Sequence, residues 1–213
     1  MKFCVIGVGR FGFHVATTLA DNGMDVLAVD SNEAIIASIR DRVSQAICMH
    51  VTDEAELRSI GIEDMHTVIV AMGENFAQSI LVTALLKQRL HVPMVIARAI
   101  SAIHKEILTL VGADQVVLPE REMGINLADT LSNPFPTVFR ITPQFSIGQR
   151  TAPKKFIGKA LENLRIPETY NVRCVGRKLG EEFEIIDSSY VIQDKDQLLF
   201  VGHNDDLLKV AKL

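Results

Sequence analysis

Three glycines, Gly7, Gly9 and Gly12, sit in "VIGVGRFG", between a short apolar run and a segment whose apolar residues recur at helical spacing. A second apolar run ends in Asp30, about twenty residues further on, as a dinucleotide fingerprint requires. The chemistry open to this spacing is the binding of a phosphorylated nucleoside. Gly7 permits the tight turn. Gly9 lets backbone N–H groups approach a pyrophosphate at the helix N-terminus, and Gly12 lets helix and strand pack closely. Asp30 accepts hydrogen bonds from ribose hydroxyls; it would repel the extra phosphate of NADP but suits any adenosine, so NAD, NADH, ATP and ADP all remain open. Arg10 falls in the first turn of the helix, where a cation is unfavourable against the dipole unless an anion sits there.

Elements of alternating type must position these groups. Apolar runs at Phe3–Ile6, Val26–Asp30, Ala46–Met49, Thr67–Ala71, Met94–Ala97 and Val116–Leu118 read as six strands separated by helices. Asn22-Gly23 closes the first helix, Ser31 or Asn32 caps the second, Asp53 with Glu56 forms a capping box, and Gly112 ends a later helix. Strands that are continuous apolar runs belong to a parallel sheet covered on both faces. The fold class expected is α/β: a Rossmann-like doubly wound parallel sheet of order 3-2-1-4-5-6 over residues 1–133, followed by a small α+β domain over residues 137–213. The change falls at Pro134-Phe135-Pro136. Beyond it, strands are expected at Val138–Ile147, Tyr170–Arg177, Glu182–Ile186 and Leu198–Val201, with short helices near Gly158–Leu164 and after Asn204. Gly176, Gly180 and Gly202 punctuate them, and "VGRKLGEEFEII" reads as a hairpin.

Composition narrows the function. The chain has 213 residues, 48% of them hydrophobic, and a formal net charge of −4. It carries no clustered basic footprint for a phosphate backbone, so nucleic acid is excluded as a partner. Three cysteines with no CxxC pair argue against a disulfide framework or a zinc site, and a reducing compartment fits. The opening residues lack the pattern of an export signal, and the longest apolar stretches are far short of the roughly 20 residues that cross a bilayer. Met72, Met94 and Met123, at element ends, are expected to fill core or interface gaps. The histidines His14, His50, His66, His91 and His104 show no ligand spacing and are expected at surfaces or element ends, with His203 at a helix start.

The pieces "VIGVGRFG", "VDSNE", "GADQVVLPEREMG" and "DKDQLLFVGHNDDL" resemble the regulator-of-potassium-conductance family, also called KTN, in its soluble KtrA/TrkA type. The resemblance covers nearly the whole chain. It implies a cytoplasmic regulatory subunit, peripheral on the inner face of the membrane. Homodimers of this type assemble into a ring on an integral-membrane potassium-translocating subunit, and an adenine nucleotide gates flux. It carries Gly7, Gly9, Arg10, Phe11 and Gly12 over as the phosphate loop, and Asp30 and Asn32 as holders of ribose and base. Asp53 matches an adenine-edge contact and is equally suited to cap a helix; Asn75 would touch phosphate or sugar, or cap the next helix. Arg98 matches a basic phosphate-facing position, with a surface salt bridge as the alternative. Glu120 matches an acid facing a terminal phosphate through Mg²⁺ or Ca²⁺, against an exposed helix-start carboxylate. With strand 6 three strands from strand 1, Glu120 would lie on the order of 14 Å from its own phosphates, so the expected role is across a subunit boundary. The small domain of this family sometimes binds a second ligand, such as cyclic di-AMP or a cation, for which no residue is assigned. The alternative function is an NAD-dependent oxidoreductase on the same fold. The small domain offers His203 as its sole histidine for acid–base work, so a non-enzymatic sensor is expected.

Overall fold

The computed structural model describes residues 1–213 apart from Glu74, Asn133, Pro134 and Pro136. It divides into two compact units, Met1–Arg121 and Glu122–Leu213. In the first unit strand and helix alternate: β1 (Lys2–Ile6), α1 (Arg10–Asp21), β2 (Asp25–Asp30), α2 (Glu33–Ile39), β3 (Gln45–Cys48), α3 (Glu54–Ser59), β4 (Thr67–Val70), α4 (Phe76–Ala84), β5 (Met94–Arg98), α5 (Ala102–Leu110) and β6 (Gln115–Val117). The strands form one sheet, parallel as the alternation implies, in the expected order β3-β2-β1-β4-β5-β6. Both faces are buried. Cys4, Ile6, Leu27, Val29, Val68, Val70 and Val95 pack on one side with Val82, Leu86 and Leu108 of the covering helices. Val5, Val26, Ala28 and Ile69 pack on the other with Ala16 and Ile39. Two inward faces per strand are the reason these strands read as unbroken apolar runs.

The punctuation acts as its chemistry requires. Asn32 caps α2, its Oδ1 accepting from the N–H groups of Ala34 and Ile35 at 2.9 and 3.3 Å. Asp53 and Glu56 form the capping box of α3. One expectation for this unit is corrected in part: His104 stands at an element end, in the first turn of α5, but is 1% exposed rather than at a surface. Its Nε2 lies 2.9 Å from Ser79 Oγ, and its Nδ1 accepts from the Ile100 N–H. A ring with both nitrogens partnered is buried without leaving an orphan polar atom. The methionines differ too: Met72 packs against the core, but Met94 and Met123 are exposed, so core filling holds for the first alone.

The helix α6 (Pro119–Ser132) contains the division between the units. Of Pro134-Phe135-Pro136, Pro134 and Pro136 lie outside the described residues, while Phe135 is buried in the second unit. That unit continues with β7 (Thr137–Thr142), β8 (Phe145–Thr151), α7 (Leu161–Leu164), α8 (Ile166–Tyr170), β9 (Val172–Leu179), β10 (Glu182–Ile185), β11 (Gln197–His203) and α9 (Asn204–Ala211). Its five strands form an antiparallel sheet ordered β10-β9-β11-β8-β7. The single strand expected over Val138–Ile147 is two strands of a hairpin, because Pro143 has no N–H to continue a ladder and the chain turns at Pro143-Gln144. The short helix α8 is likewise additional to the sequence reading. The hairpin of β9 and β10 turns at Gly180, whose φ is +64°. Gly176 and Gly202 lie within strands rather than between them, each where a Cβ would strike a neighbour: Glu184 O at 2.6 Å and Val172 Cγ1 at 2.7 Å.

Candidate functional site

A crevice of about 730 Å³ opens at the carboxyl ends of the parallel strands, where β1 leads to β2 on one side and the chain crosses to β4 on the other. In a doubly wound sheet this switch point is where the loops separate, so the topology itself makes the cleft. Nine of the eleven residues singled out by sequence line it: Gly7, Gly9, Arg10, Phe11, Asp30, Asn32, Asn75, Arg98 and Glu120.

The glycine loop is built as its spacing requires. Gly7 has φ +89°, and a Cβ there would meet Met72 N at 2.9 Å. Gly12 faces inward: a Cβ would lie 2.0 Å from Gly7 O, so it is the contact that lets α1 close on β1. Gly9 differs from both. It is the N-cap of α1 with no side-chain cap, and a Cβ on it would meet nothing within 4 Å. The open space beside it belongs to the cleft. No acidic residue occupies the first turn of α1, and Arg10 has no hydrogen bond or ion pair among the described residues. A helix N-terminus and an unpaired guanidinium together favour an anion.

Asp30 ends β2 and is already hydrogen-bonded. Val8 N–H donates to its Oδ2 at 2.7 Å and Asn32 N–H to its Oδ1 at 2.9 Å. The carboxylate therefore ties the glycine loop to the second strand, and each oxygen keeps a lone pair for a ribose hydroxyl. Asn75 is the N-cap of α4, accepting from Gln78 N–H at 3.1 Å and donating to Gln78 Oε1 at 3.0 Å. It combines capping with a place on the cleft wall. Asp53 is outside the cleft lining; its Oδ1 accepts from Glu56 N–H at 2.9 Å, which is the capping alternative.

Arg98 and Glu120 close the far end. Arg98 is the last residue of β5, and its guanidinium lies 5.9 Å from the Phe11 ring centroid in a cation–π contact. The same group pairs with the Glu120 carboxylate through Nη2 and Oε1. It also occupies the space beside Gly73, where a Cβ would fall 2.4 Å from Nη1. The pair is lopsided: the Arg98 side chain is 17% exposed and Glu120 67%. Glu120's own backbone N–H, together with Arg98 against the opposing push of burial, holds its carboxyl below the usual carboxylate range. The sheet-edge distance set Glu120 apart from the glycine loop, whereas in the structure both line one crevice. The sheet-edge distance omits the length of the arginine, which reaches from β5 toward both α1 and α6, so Glu120 lies on its own chain's cleft rim. Among the described residues no three His, Cys, Asp or Glu side chains gather into a metal site.

Sequence reasoning missed the cleft residues Ser31, Met49, His50, Gly73 and Gln78. Their common signal is position: all but Gln78 fall within three residues of the carboxyl end of a parallel strand, where the switch-point rule places ligand contacts.

Crevice and topology define a class, a Rossmann-type doubly wound α/β domain followed by a small antiparallel α+β domain. The chain belongs to the TrkA family: the TrkA-N domain matches residues 3–119 and the TrkA-C domain residues 150–213. It is 32% identical to the Ktr system potassium uptake protein C of Bacillus subtilis over 213 residues, 99% of this chain and 96% of that protein. It is also 32% identical to the Ktr system potassium uptake protein A of Vibrio alginolyticus over 218 residues, 99% of this chain and 96% of that one. Among solved structures, the GsuK channel bound to NAD matches with TM-score 0.58 and 19% identity, over 97% of this chain and 37% of that channel chain. GsuK bound to ADP matches with TM-score 0.54 and 24% identity, over 62% of this chain and 34% of that one. The likeness to these longer channel chains is one of fold. Among the described residues, no helix is long and apolar enough to cross a membrane.

Proposed function

We propose that the chain is a nucleotide-sensing regulatory subunit of a potassium-uptake system. Adenine nucleotide binds in the switch-point crevice, with Asp30 and Asn32 on the adenosine side and Gly7, Gly9 and Arg10 around the phosphates. The observation that carries this reading is the uncapped N-terminus of α1 beside an Arg10 with no partner among the described residues, with Asp30 bonded to the same glycine loop. Family membership supplies the physiological setting. In this reading, dimers assemble into a ring on the cytoplasmic face of a membrane potassium-translocating subunit. Nucleotides shift that ring only by their differential affinity for its states. A divalent cation, Mg²⁺ or Ca²⁺, would be held by Glu120 together with phosphate oxygens, since protein ligands alone are too few.

The runner-up is an NAD-dependent oxidoreductase, favoured by the NAD-bound fold neighbour. His50 is the histidine among the cleft-lining residues, and it follows β3, on the adenosine side of the crevice. A hydride-transfer enzyme needs its acid–base group at the opposite end, where Arg98 and Glu120 are paired with each other. Native mass spectrometry of the purified protein tests the proposal, reporting retained nucleotide and oligomer together. Small-angle scattering with saturating ATP and with ADP should give different profiles. Identical profiles would reduce the chain to a passive nucleotide-binding scaffold, and sustained NADH oxidation with any substrate would establish the enzyme instead.

A further inference from the structure

The connection between β3 and α3 holds a backbone donor that the fold leaves unused. Met49 N–H donates to Asp30 O at 2.9 Å, and the N–H groups of Thr52 and Asp53 both reach Glu56 Oε2. His50, between them, is exposed. Val51 is 1% exposed and lines the crevice, and its N–H has no hydrogen bond among the described residues. Buried N–H groups without a partner are rare in folded proteins, because each costs about as much as a lost hydrogen bond. One that borders an open crevice points to an acceptor supplied by the ligand.

The Val51 carbonyl is held from a different element. Gln78, in the first turn of α4, donates from Nε2 to Val51 O at 2.6 Å. The sense of that amide is fixed by backbone groups at both ends. Gln78 N–H occupies Asn75 Oδ1, so Asn75 Nδ2 is left to donate to Gln78 Oε1, and Gln78 Nε2 must face the carbonyl. Two side chains thus strap the start of α4 to the β3–α3 connection and fix where Val51 sits.

Ile35, Met49 and Val51 make the adenosine end of the crevice apolar, and Val51 follows the strand next to the one that ends in Asp30. With the ribose on Asp30 and the phosphates at the α1 N-terminus, the base extends the other way, toward that neighbouring strand about 4.8 Å off. The edge of a purine farthest from its ribose carries N1 and the 6-substituent. In adenine this edge is an acceptor beside a donor, N1 and N6–H. In guanine it is a donor beside an acceptor, N1–H and O6. Val51 offers the complement of adenine: an unused N–H, and a carbonyl with a lone pair left beside Gln78.

We propose that Val51 reads the base, its N–H donating to adenine N1, and that Gln78 is the positioning residue that holds Val51 for this contact. Guanine sets donor against donor and leaves a buried N–H unpaired, the mismatch that a polar site rejects most strongly. The inference rests on the nucleotide reading above and names the part of the ligand that ATP, ADP and NADH share.

Calorimetry on the full-length protein with ATP, 1-deaza-ATP, 7-deaza-ATP and GTP tests it. In 1-deaza-ATP a C–H replaces N1, so it should bind about tenfold more weakly than ATP, the fold-change of one hydrogen bond, while 7-deaza-ATP should match ATP within about twofold. GTP should be weaker by at least about a hundredfold. Gln78→Met keeps the length of the side chain and removes the donor. It should weaken ATP, ADP and NADH alike, on the order of fivefold, and shrink the 1-deaza penalty to less than about threefold. A merely structural role for Gln78 would lower ATP and 1-deaza-ATP together and keep the penalty. Hydrogen exchange gives a second readout: the Val51 amide should be protected by ATP and not by 1-deaza-ATP. Equal affinity of the wild type for ATP and 1-deaza-ATP, or GTP binding as tight as ATP, would overturn the base contact and leave the nucleotide reading standing. That comparison needs no variant. An undiminished 1-deaza penalty in Gln78→Met would overturn the positioning role. If the wild type bound none of ATP, ADP and NADH, both readings would fall.

Discussion

The two units handle polar groups in opposite ways. In the first, the parallel sheet ends in a crevice whose charged groups are left with capacity: Arg10 is unpaired among the described residues, Asp30 binds two N–H groups with lone pairs remaining, and Arg98 holds an exposed carboxylate. In the second, the polar cluster is closed on itself. Arg177 donates to Glu184 Oε2 at 2.8 Å and to Tyr190 Oη at 2.7 Å, Tyr190 donates to Asp196 Oδ2 at 2.7 Å, and Asp196 also accepts from Gln193 N–H. The charged face of Arg177 lies 4.8 Å over the Tyr190 ring. What the second unit leaves unmatched is apolar instead: Phe139, Ile141, Leu179 and Ile185 are all more than half exposed. A doubly wound sheet separates its loops and so generates a ligand crevice, whereas an antiparallel sheet with helices on one face leaves its other face open. The difference teaches that a closed polar network stabilises, and an incompletely satisfied one is available to a ligand.

That contrast can be broken experimentally. The largest effect is expected within the glycine loop, where two glycines have opposite surroundings. Gly12→Ala places a methyl against Gly7 O and should cost about 3 kcal/mol, the upper end of the overpacking range, read from the denaturant midpoint of the first unit. Gly9→Val has open space and should leave that midpoint nearly unchanged while abolishing stabilisation by ATP. Equal destabilisation by the two would mean that Gly9 is a packing residue.

Next in size is Asp30→Ala, which should weaken adenine-nucleotide binding by about 1.5–3 kcal/mol, the range for hydrogen bonds to charged groups. Unchanged thermal stabilisation by both ATP and NADH would place the adenosine elsewhere. In the second unit, Tyr190→Phe removes the hydroxyl joining Arg177 to Asp196 and should cost about 1–3 kcal/mol with no change in nucleotide affinity. A loss of nucleotide binding in that variant would end the distinction between a closed network and an open one.

The smallest expected effect concerns pH. Burial lowers the His104 pKa, so the folded state holds the ring neutral while the unfolded chain takes up a proton below about 6.5. The unfolded state then binds more protons, and the first unit should lose stability as pH falls through that value toward the depressed folded one. His104→Gln should flatten this part of the profile. An unaltered slope would show that His104 does not contribute to it.

Much of the first unit was legible because its physics is local or periodic. Continuous apolar runs identify doubly buried strands, and the caps at Asn32 and Asp53 follow from side chains that reach the nearest free N–H groups. The glycine loop was legible for the same reason, since the turn at Gly7 and the packing at Gly12 each demand glycine at a fixed place. His104 was hidden because one histidine on a helix carries no sign of burial. Its spacing from Leu108, four residues on and also buried, was the available clue. In the second unit the break at Pro143 was legible in principle and was overridden by the apolar run around it.

By itself, the sequence determined the strand–helix alternation, the glycine loop and the acid at the end of β2, because each follows from spacing along the chain. The tertiary structure alone decided which polar groups remain free. Whether Arg98 meets Glu120, Phe11 or a ligand depends on the packing of elements far apart in sequence. A long flexible side chain spans the distance between strands that a residue count treats as empty, and only the folded arrangement shows where it ends.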